Sequence, residues 1–393
     1  MKFVILNQGI GPHQAAFADE VFKILGNNFV FIEFGGKKLQ YGSADNIIQG
    51  VDYYKERPYI LRMNESDDNR KRAIELIEKA DALRTGGEPL EMTRQRIIDG
   101  KLTFRSSERI FKMPIWRYRP NYLWYLYKMF ALPSNPNYRF LCQSAYLSQD
   151  LKPFVDIERK CYKFAYFTQI PQLKIDDVIR NKKHDKIQIV YCSRFIDWKH
   201  PELAIALAEN LLKSGRPNFE IKMIGANTTP LWKEMKSLIE KKSLQNHVIL
   251  TGGISNTEVL STMRGSNIFI FTSDRNEGWG AVLNEAMGTG CACVASHEIG
   301  SVPYLLRHQE NGLIFESRSV DSLFENVIKL YDNPTLCEQY GKRAYETITT
   351  DWSAKLAAER LVSLSESILL GKEIEFTDGP CSKALPFNHK ELL

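Results

Sequence analysis

Glu277-Gly278-Trp279-Gly280-Ala281-Val282-Leu283-Asn284-Glu285-Ala286-Met287 follows shortly after the apolar run Ile268-Phe269-Ile270-Phe271. The apolar run reads as a buried strand, the Gly-aromatic-Gly stretch as a tight turn, and Val282 onward as a helix. A helix N-terminus presents unpaired backbone N–H groups and positive partial charge, a natural seat for phosphate. Glu277 stands before that helix and can face whatever is attached to the phosphate. Glu285 lies more than a turn inside it, within reach of a ribose diol. The arrangement reads as a nucleotide-sugar site.

A second block lies upstream. Ile189-Val190-Tyr191-Cys192-Ser193-Arg194-Phe195-Ile196-Asp197-Trp198-Lys199-His200 is a strand followed by a loop with two cations five residues apart. Between the two blocks come Met223-Ile224-Gly225, then Val248-Ile249-Leu250-Thr251-Gly252-Gly253-Ile254-Ser255 with Leu260 and the small turn Arg264-Gly265-Ser266-Asn267. After them comes Gly290-Cys291-Ala292-Cys293-Val294-Ala295-Ser296. These motifs in this order resemble the retaining glycosyltransferases of the group 1, Glu-x7-Glu type. The resemblance is strong over 187–350 and weak before it.

That resemblance implies the glycosyltransferase B fold: two α/β, Rossmann-like domains facing across a cleft. The activity it implies is transfer of a sugar from a nucleoside diphosphate donor, taken as UDP-linked, to a glycan or lipid-linked acceptor. It casts Glu277, Arg194 and Lys199 as catalytic: the two cations grip the donor diphosphate and Glu277 contacts the sugar hydroxyls. Donor binding falls to Glu285, to Gly278, Trp279 and Gly280, to the amides of Ala281, Val282 and Leu283, and to Ile254 beside the base. Arg suits two phosphate oxygens at once and Lys acts as a mobile point charge. No cofactor and no metal are implied; Asp67-Asp68 and Asp176-Asp177 are adjacent acids in polar segments, not an Asp-x-Asp site. Read singly, Arg194 and Lys199 are solvated loop residues and Glu277 an acid before a helix. Trp198 reads as a packing residue.

A chain of 393 residues, 44% hydrophobic and 25% charged, is long enough for two cored domains. The expected division is a first domain at 1–170, completed by a returning helix at 353–375 that only the resemblance implies, a polar linker at 171–186, and a second domain at 187–352. The net charge of +5 is mild; it suits an anionic donor or membrane surface and calls for no nucleic acid. The opening apolar run meets Gly9 and Gly11 too early for a secretory signal, and no run of about 18 apolar residues spans a membrane. The seven cysteines form no Cys-x-x-Cys, and Cys291 and Cys293 read as thiols on one face of a buried strand. A cytoplasmic enzyme, peripheral on the inner membrane face where it touches lipid, is the expectation.

Strands are expected at 3–7, 29–34, 81–85, 102–105, 139–142 and 162–167 in the first half. Those of the second half fall at 187–191, 219–224, 248–251, 268–271 and 293–296, with helices between. Helices are also expected at 13–25, 65–79 and 88–98, with 35–64 irregular and the tail from Glu373 extended. Gly9 and Gly11 are either a plain turn or, as in relatives, a loop against the diphosphate. Arg105 occupies a slot where many relatives carry a histidine near the donor sugar; His13 either substitutes for it or caps a surface helix. Residues 101–130 combine Arg and Lys with Trp and Tyr, a pattern either of a lipid-facing segment or of core aromatics under a basic face. Rival readings are a sugar-nucleotide 2-epimerase, a non-catalytic nucleotide-sugar-binding subunit, and an NAD enzyme, the last lacking a third glycine after Gly9-Ile10-Gly11.

Overall fold

The computed structural model describes residues 1–35, 57–112, 118–131, 135–182, 185–372 and 374–393. It divides into two units, one formed by Met1–Gln169 with Trp352–Phe387 and the other by Ile170–Asp351 with Asn388–Leu393.

The first unit is built on a seven-stranded sheet with β1 (Phe3–Asn7), β2 (Phe29–Glu33), β3 (Ile60–Arg62), β4 (Ala82–Gly86), β5 (Leu102–Ser107), β6 (Tyr138–Cys142) and β7 (Cys161–Lys163). Their order across the sheet is β3-β2-β1-β4-β5-β6-β7, and every pairing is parallel. Strands β1, β4 and β5 are buried almost throughout, as strands with helices on both faces require, although β4 and β5 carry Arg84, Thr85, Thr103 and Arg105 among their buried residues. Ser66 starts the helix Asp67–Lys79 by accepting from the Asn69 amide. The helix Pro12–Leu25 packs along the returning helix Ala354–Leu369.

The second unit repeats the plan with β8 (Ile187–Cys192), β9 (Phe219–Ile224), β10 (Val248–Gly252), β11 (Ile268–Phe271), β12 (Ala292–Ser296) and β13 (Leu313–Phe315). Their order is β10-β9-β8-β11-β12-β13, again parallel. Both sheets are doubly wound. The strand order reverses between β1 and β4 in one and between β8 and β11 in the other, the places where such sheets open a crevice at their carboxyl ends.

Several elements differ from expectation. Strands β3 and β13 are three residues each and too short to show a period. Of the irregular stretch 35–64, residues 36–56 lie outside the described residues. The expected helix 88–98 is a single turn at Leu90–Met92 followed by Arg94–Ile98. Strand β7 stops at Lys163 because β6, its only parallel neighbour, ends at Cys142. The segment 171–186 carries a helix, Ile175–Arg180. The returning helix ends at Leu369, and the chain after it does more than extend. Lys163 exchanges backbone hydrogen bonds with Cys381 and Ser382 at 2.8 and 2.7 Å, and Ala384 donates to Cys161 at 3.1 Å. The tail thereby hems the exposed edge of β7. The seven cysteines are free thiols, Cys192 half-buried and the rest buried. No helix among the described residues is long and apolar enough to cross a membrane.

Candidate active site

Strands β8 and β11 are hydrogen-bonded neighbours, so the loops leaving their carboxyl ends lie side by side. The first loop carries Arg194, Trp198 and Lys199; the second carries Thr272 to Gly280. Several hydrogen bonds sew them together. Thr272 Oγ1 donates to the carbonyls of Lys199 (2.7 Å) and His200 (3.1 Å), and the Asp274 amide donates to the Trp198 carbonyl (3.0 Å). Across this seam the Lys199 ammonium donates to the Glu277 carboxylate, which also accepts from Ser273 Oγ at 3.0 Å.

Lys199 and Glu277 are both buried, at 8% exposure. The Lys199 ammonium also lies over the rings of Trp198 (4.3 Å) and Phe271 (5.7 Å). Burial lowers its pKa, Glu277 pulls the other way, and the nearby Arg194 charge lowers it again. A cation held in this under-compensated state gains from any further anion brought beside it. Arg194 is exposed. Trp198 is thus the floor under Lys199 as well as a packing residue.

Gly280 makes the turn into the helix Val282–Gly288 possible. Its φ is +85°, and a Cβ there would stand 2.6 Å from the Phe271 ring. The Leu283 amide is spent on the Gly280 carbonyl at 3.0 Å, whereas the amides of Gly280, Ala281 and Val282 meet no backbone acceptor among the described residues. Leu283 turns its side chain fully into the core. Trp279 does likewise, with its indole N–H donating to Asn284 Oδ1 at 2.9 Å. Gly278 is buried and Ile254 half-buried. Glu285 has its pKa raised by burial, opposed by the Asn256 amide group at 3.4 Å.

Around the pair lie residues that the sequence reading passed over. Asp274 is buried and accepts from Arg318, from His200 Nε2 at 3.3 Å, and from the Asn276 amide and side chain at 2.9 Å each. These donors hold its carboxyl far below the usual carboxylate range despite burial. His200 also meets Glu202 at 2.9 Å, and its two carboxylate partners push its pKa up to about 9. The polar run Thr272-Ser273-Asp274 directly after a fully apolar strand was the available signal for Ser273 and Asp274. Arg318 lies beyond β13 and carries no local signal.

In the first unit the carboxyl ends of β1, β4 and β5 border a cavity of about 380 Å³. Gly11 lines it, between Asn7 and Gln8 on one side and His13 and Gln14 on the other. The loop is pinned by the Ile10 amide donating to Glu33 at 2.8 Å. His13 stacks on Tyr166 with ring centres 5.6 Å apart, and burial lowers its pKa against the pull of Glu108. It is half-buried on the cavity wall, not a free surface cap. Arg105 does not line this cavity: its guanidinium is buried against Glu88 at 2.7 Å and against Tyr138. Ser106 and Ser107, the next residues of β5, line it instead. Among the described residues no cluster of His, Cys, Asp or Glu is arranged to hold a metal ion.

Residues 174–347 match the family model of the group 1 glycosyl transferases. An uncharacterised glycosyltransferase of Methanocaldococcus jannaschii is 23% identical over 208 residues, 53% of this chain and 52% of that one. The matches span between 18% and 54% of the length of the curated relatives. Among solved structures, a glycosyltransferase from Rickettsia africae superposes with a TM-score of 0.68 at 16% identity, covering 94% of this chain and 99% of that one. Anabaena HepE in complex with UDP gives 0.66 at 14% identity, covering 93% and 100%. Motif order over residues 174–347 and strand order over both sheets point the same way: that segment is similar to the group 1 glycosyl transferases, and the chain has the glycosyltransferase B fold.

Proposed function

We propose that the protein is a retaining, metal-independent glycosyltransferase. It moves a sugar from a nucleoside diphosphate donor to a hydroxyl of a glycan or lipid-linked acceptor. The observation that carries this reading is the buried Lys199–Glu277 pair, with Arg194 beside it, at the point where the order of the second sheet reverses. Loss of a diphosphate leaving group builds negative charge; two cations fixed before the reaction lower the barrier without reorganising. Arg194 and Lys199 take the diphosphate oxygens, helped by the amides of Gly280, Ala281 and Val282. Glu277 orients the sugar and Glu285 accepts from the ribose hydroxyls. Trp279 and Leu283 serve by anchoring the turn, since their side chains are in the core and the Leu283 amide is spent on Gly280. UDP, the nucleotide crystallised with Anabaena HepE, is the proposed leaving group. The acceptor hydroxyl attacks from the face the diphosphate leaves, so the anomeric configuration is kept. The test is a donor panel of UDP- and GDP-sugars with purified protein, following nucleotide release with and without acceptors. Release of neither nucleotide from any donor, or an inverted product, sinks the reading.

A peripheral membrane contact is proposed alongside. Tyr118, Trp124, Tyr125 and Tyr127 are exposed on and beside the helix Pro120–Leu126, while Leu126, Met129 and Phe130 fill the core beneath. Trp124 stacks on Tyr127 and lies under the Lys128 ammonium at 5.1 Å, an aromatic and basic surface suited to a headgroup layer. Of the cations and aromatics in 101–130, Trp116 and Arg117 lie outside the described residues. Co-sedimentation with phosphatidylglycerol vesicles, lost on replacing Trp124, Tyr125 and Tyr127 by Ala, checks it; equal binding by both proteins refutes it.

A further inference from the structure

Three loops of the second unit converge on one carboxylate that plays no part in the chemistry proposed above. Asp274 is 1% exposed, and its Oδ2 meets His200 from the loop after β8 and Arg318 from the loop after β13. Both of those residues sit in the left-handed region, His200 at φ 48° and Arg318 at φ 64°. A side chain in that region is strained against its own backbone, so glycine is the default there. Two non-glycine residues held in it, both aimed at the same carboxylate, indicate that the contacts outweigh the strain.

The backbone of Asp274 shows what the contacts secure. Its N–H donates to the carbonyl of Trp198, the residue before Lys199, at 3.0 Å, and its C=O accepts from the Glu277 amide at 3.0 Å. Both members of the Lys199–Glu277 pair hang from the backbone of this one residue. Its side chain in turn is fixed by His200, Arg318 and Asn276, and His200 is tied to the first turn of the helix Glu202–Lys213 through Glu202 at 2.9 Å.

We infer that Asp274 is a positioning residue whose clasp by His200 and Arg318 sets the separation of Lys199 from Glu277. The inference rests on the reading of that pair as the transfer site. The geometry predicts a defect in turnover rather than in holding the donor, because donor contacts survive while the ammonium is displaced from where leaving-group charge builds.

Glycine separates this role from a structural one, since it removes the clasp and the backbone strain together. The experiment compares wild type, His200→Gly, His200→Asn and Asp274→Asn on whichever of UDP-glucose, UDP-N-acetylglucosamine and GDP-mannose the wild type turns over. Melting temperature and amide hydrogen exchange are measured on all four. For His200→Gly, kcat should fall by about 10–100-fold, as misplacement of a charged group by an ångström does, with donor KM changed less than about threefold. Amides of 194–200 and 274–277 should exchange at least about tenfold faster, while the melting temperature stays within a few degrees of wild type. His200→Asn should restore most of kcat, because asparagine tolerates the left-handed region and its amide can donate to Asp274. Wild-type kcat in His200→Gly, lost kcat with unchanged exchange, or no recovery in His200→Asn overturns the inference. Should the wild type turn over none of the donors, the functional reading fails on its own, and the exchange measurement still decides whether the clasp holds the two loops.

Discussion

The Lys199 ammonium donates a hydrogen bond to the Glu277 carboxylate, 78 residues further along the chain. Arg194, in the same loop as Lys199, is exposed. The two cations therefore respond differently to removal. Lys199→Ala leaves a buried carboxylate without its counter-ion and should cost about 3 kcal/mol of stability. Arg194→Ala should leave the melting temperature unchanged. Both should lower nucleotide release by about 10²–10³-fold, the usual loss when a fixed donor to developing charge is removed. Thermal melts beside steady-state assays check this; near-normal turnover in either variant takes that residue out of the diphosphate role.

Gly280 and Phe271 form a lock of another kind. Any Cβ at 280 would meet the Phe271 ring at 2.6 Å in a backbone conformation that L-residues avoid. Gly280→Ala should destabilise by about 2–4 kcal/mol, from the strained φ and the overpacking together. Phe271→Leu in the same chain should return part of that loss by clearing the ring edge. Chemical denaturation of the single and double variants measures the coupling, and additivity of the two costs would contradict the packing described.

Arg105 and Glu88 test the boundary between site and core. Their side chains are 5% and 0% exposed and 2.7 Å apart. Glu88→Ala should cost about 3–5 kcal/mol by stranding a buried guanidinium, whereas replacing both by methionine should be far milder. If the pair is purely structural, the double variant keeps its donor KM. A donor KM raised tenfold in a folded double variant would bring Arg105 back into the site.

His200 sets an alkaline limit to stability. Its pKa is about 9 in the folded chain against 6.5 in an unfolded one, because Asp274 and Glu202 both bond to its ring. Its contribution is complete below about pH 6.5 and fades as pH rises through about 9. Asp274, with its pKa depressed by His200, Asn276 and Arg318, loses its contribution only far on the acid side. The melting-temperature advantage of wild type over His200→Gly should therefore shrink between pH 6.5 and 9. A constant difference across that window would show that His200 does not carry the charge.

Legibility followed chain locality. The strands that set the sheet order were visible because short, mostly β-favouring runs are bounded by glycine, proline and charge, and Arg194, Lys199 and Glu277 stood in loops directly after two of them. What the sequence hid depended on partners far away in the chain. Arg105 looked available until Glu88 and Tyr138 were seen to enclose it. Trp279 looked like a ligand contact in a glycine-rich turn, yet Asn284 takes its indole N–H inside the core. The converging partners of Asp274 come from three loops, which no single window of residues displays.

The hem of residues 381–384 along β7, together with the helix Ala354–Leu369 against Pro12–Leu25, means that the first unit is completed only by chain that follows the sheet β8–β13. The intervening sheet β8–β13 has all its strands in hand well before that. Synthesis should therefore yield a settled second unit while the first still waits with an open flank. Chaperone dependence and early proteolytic nicking should accordingly concentrate in residues 1–169 during synthesis.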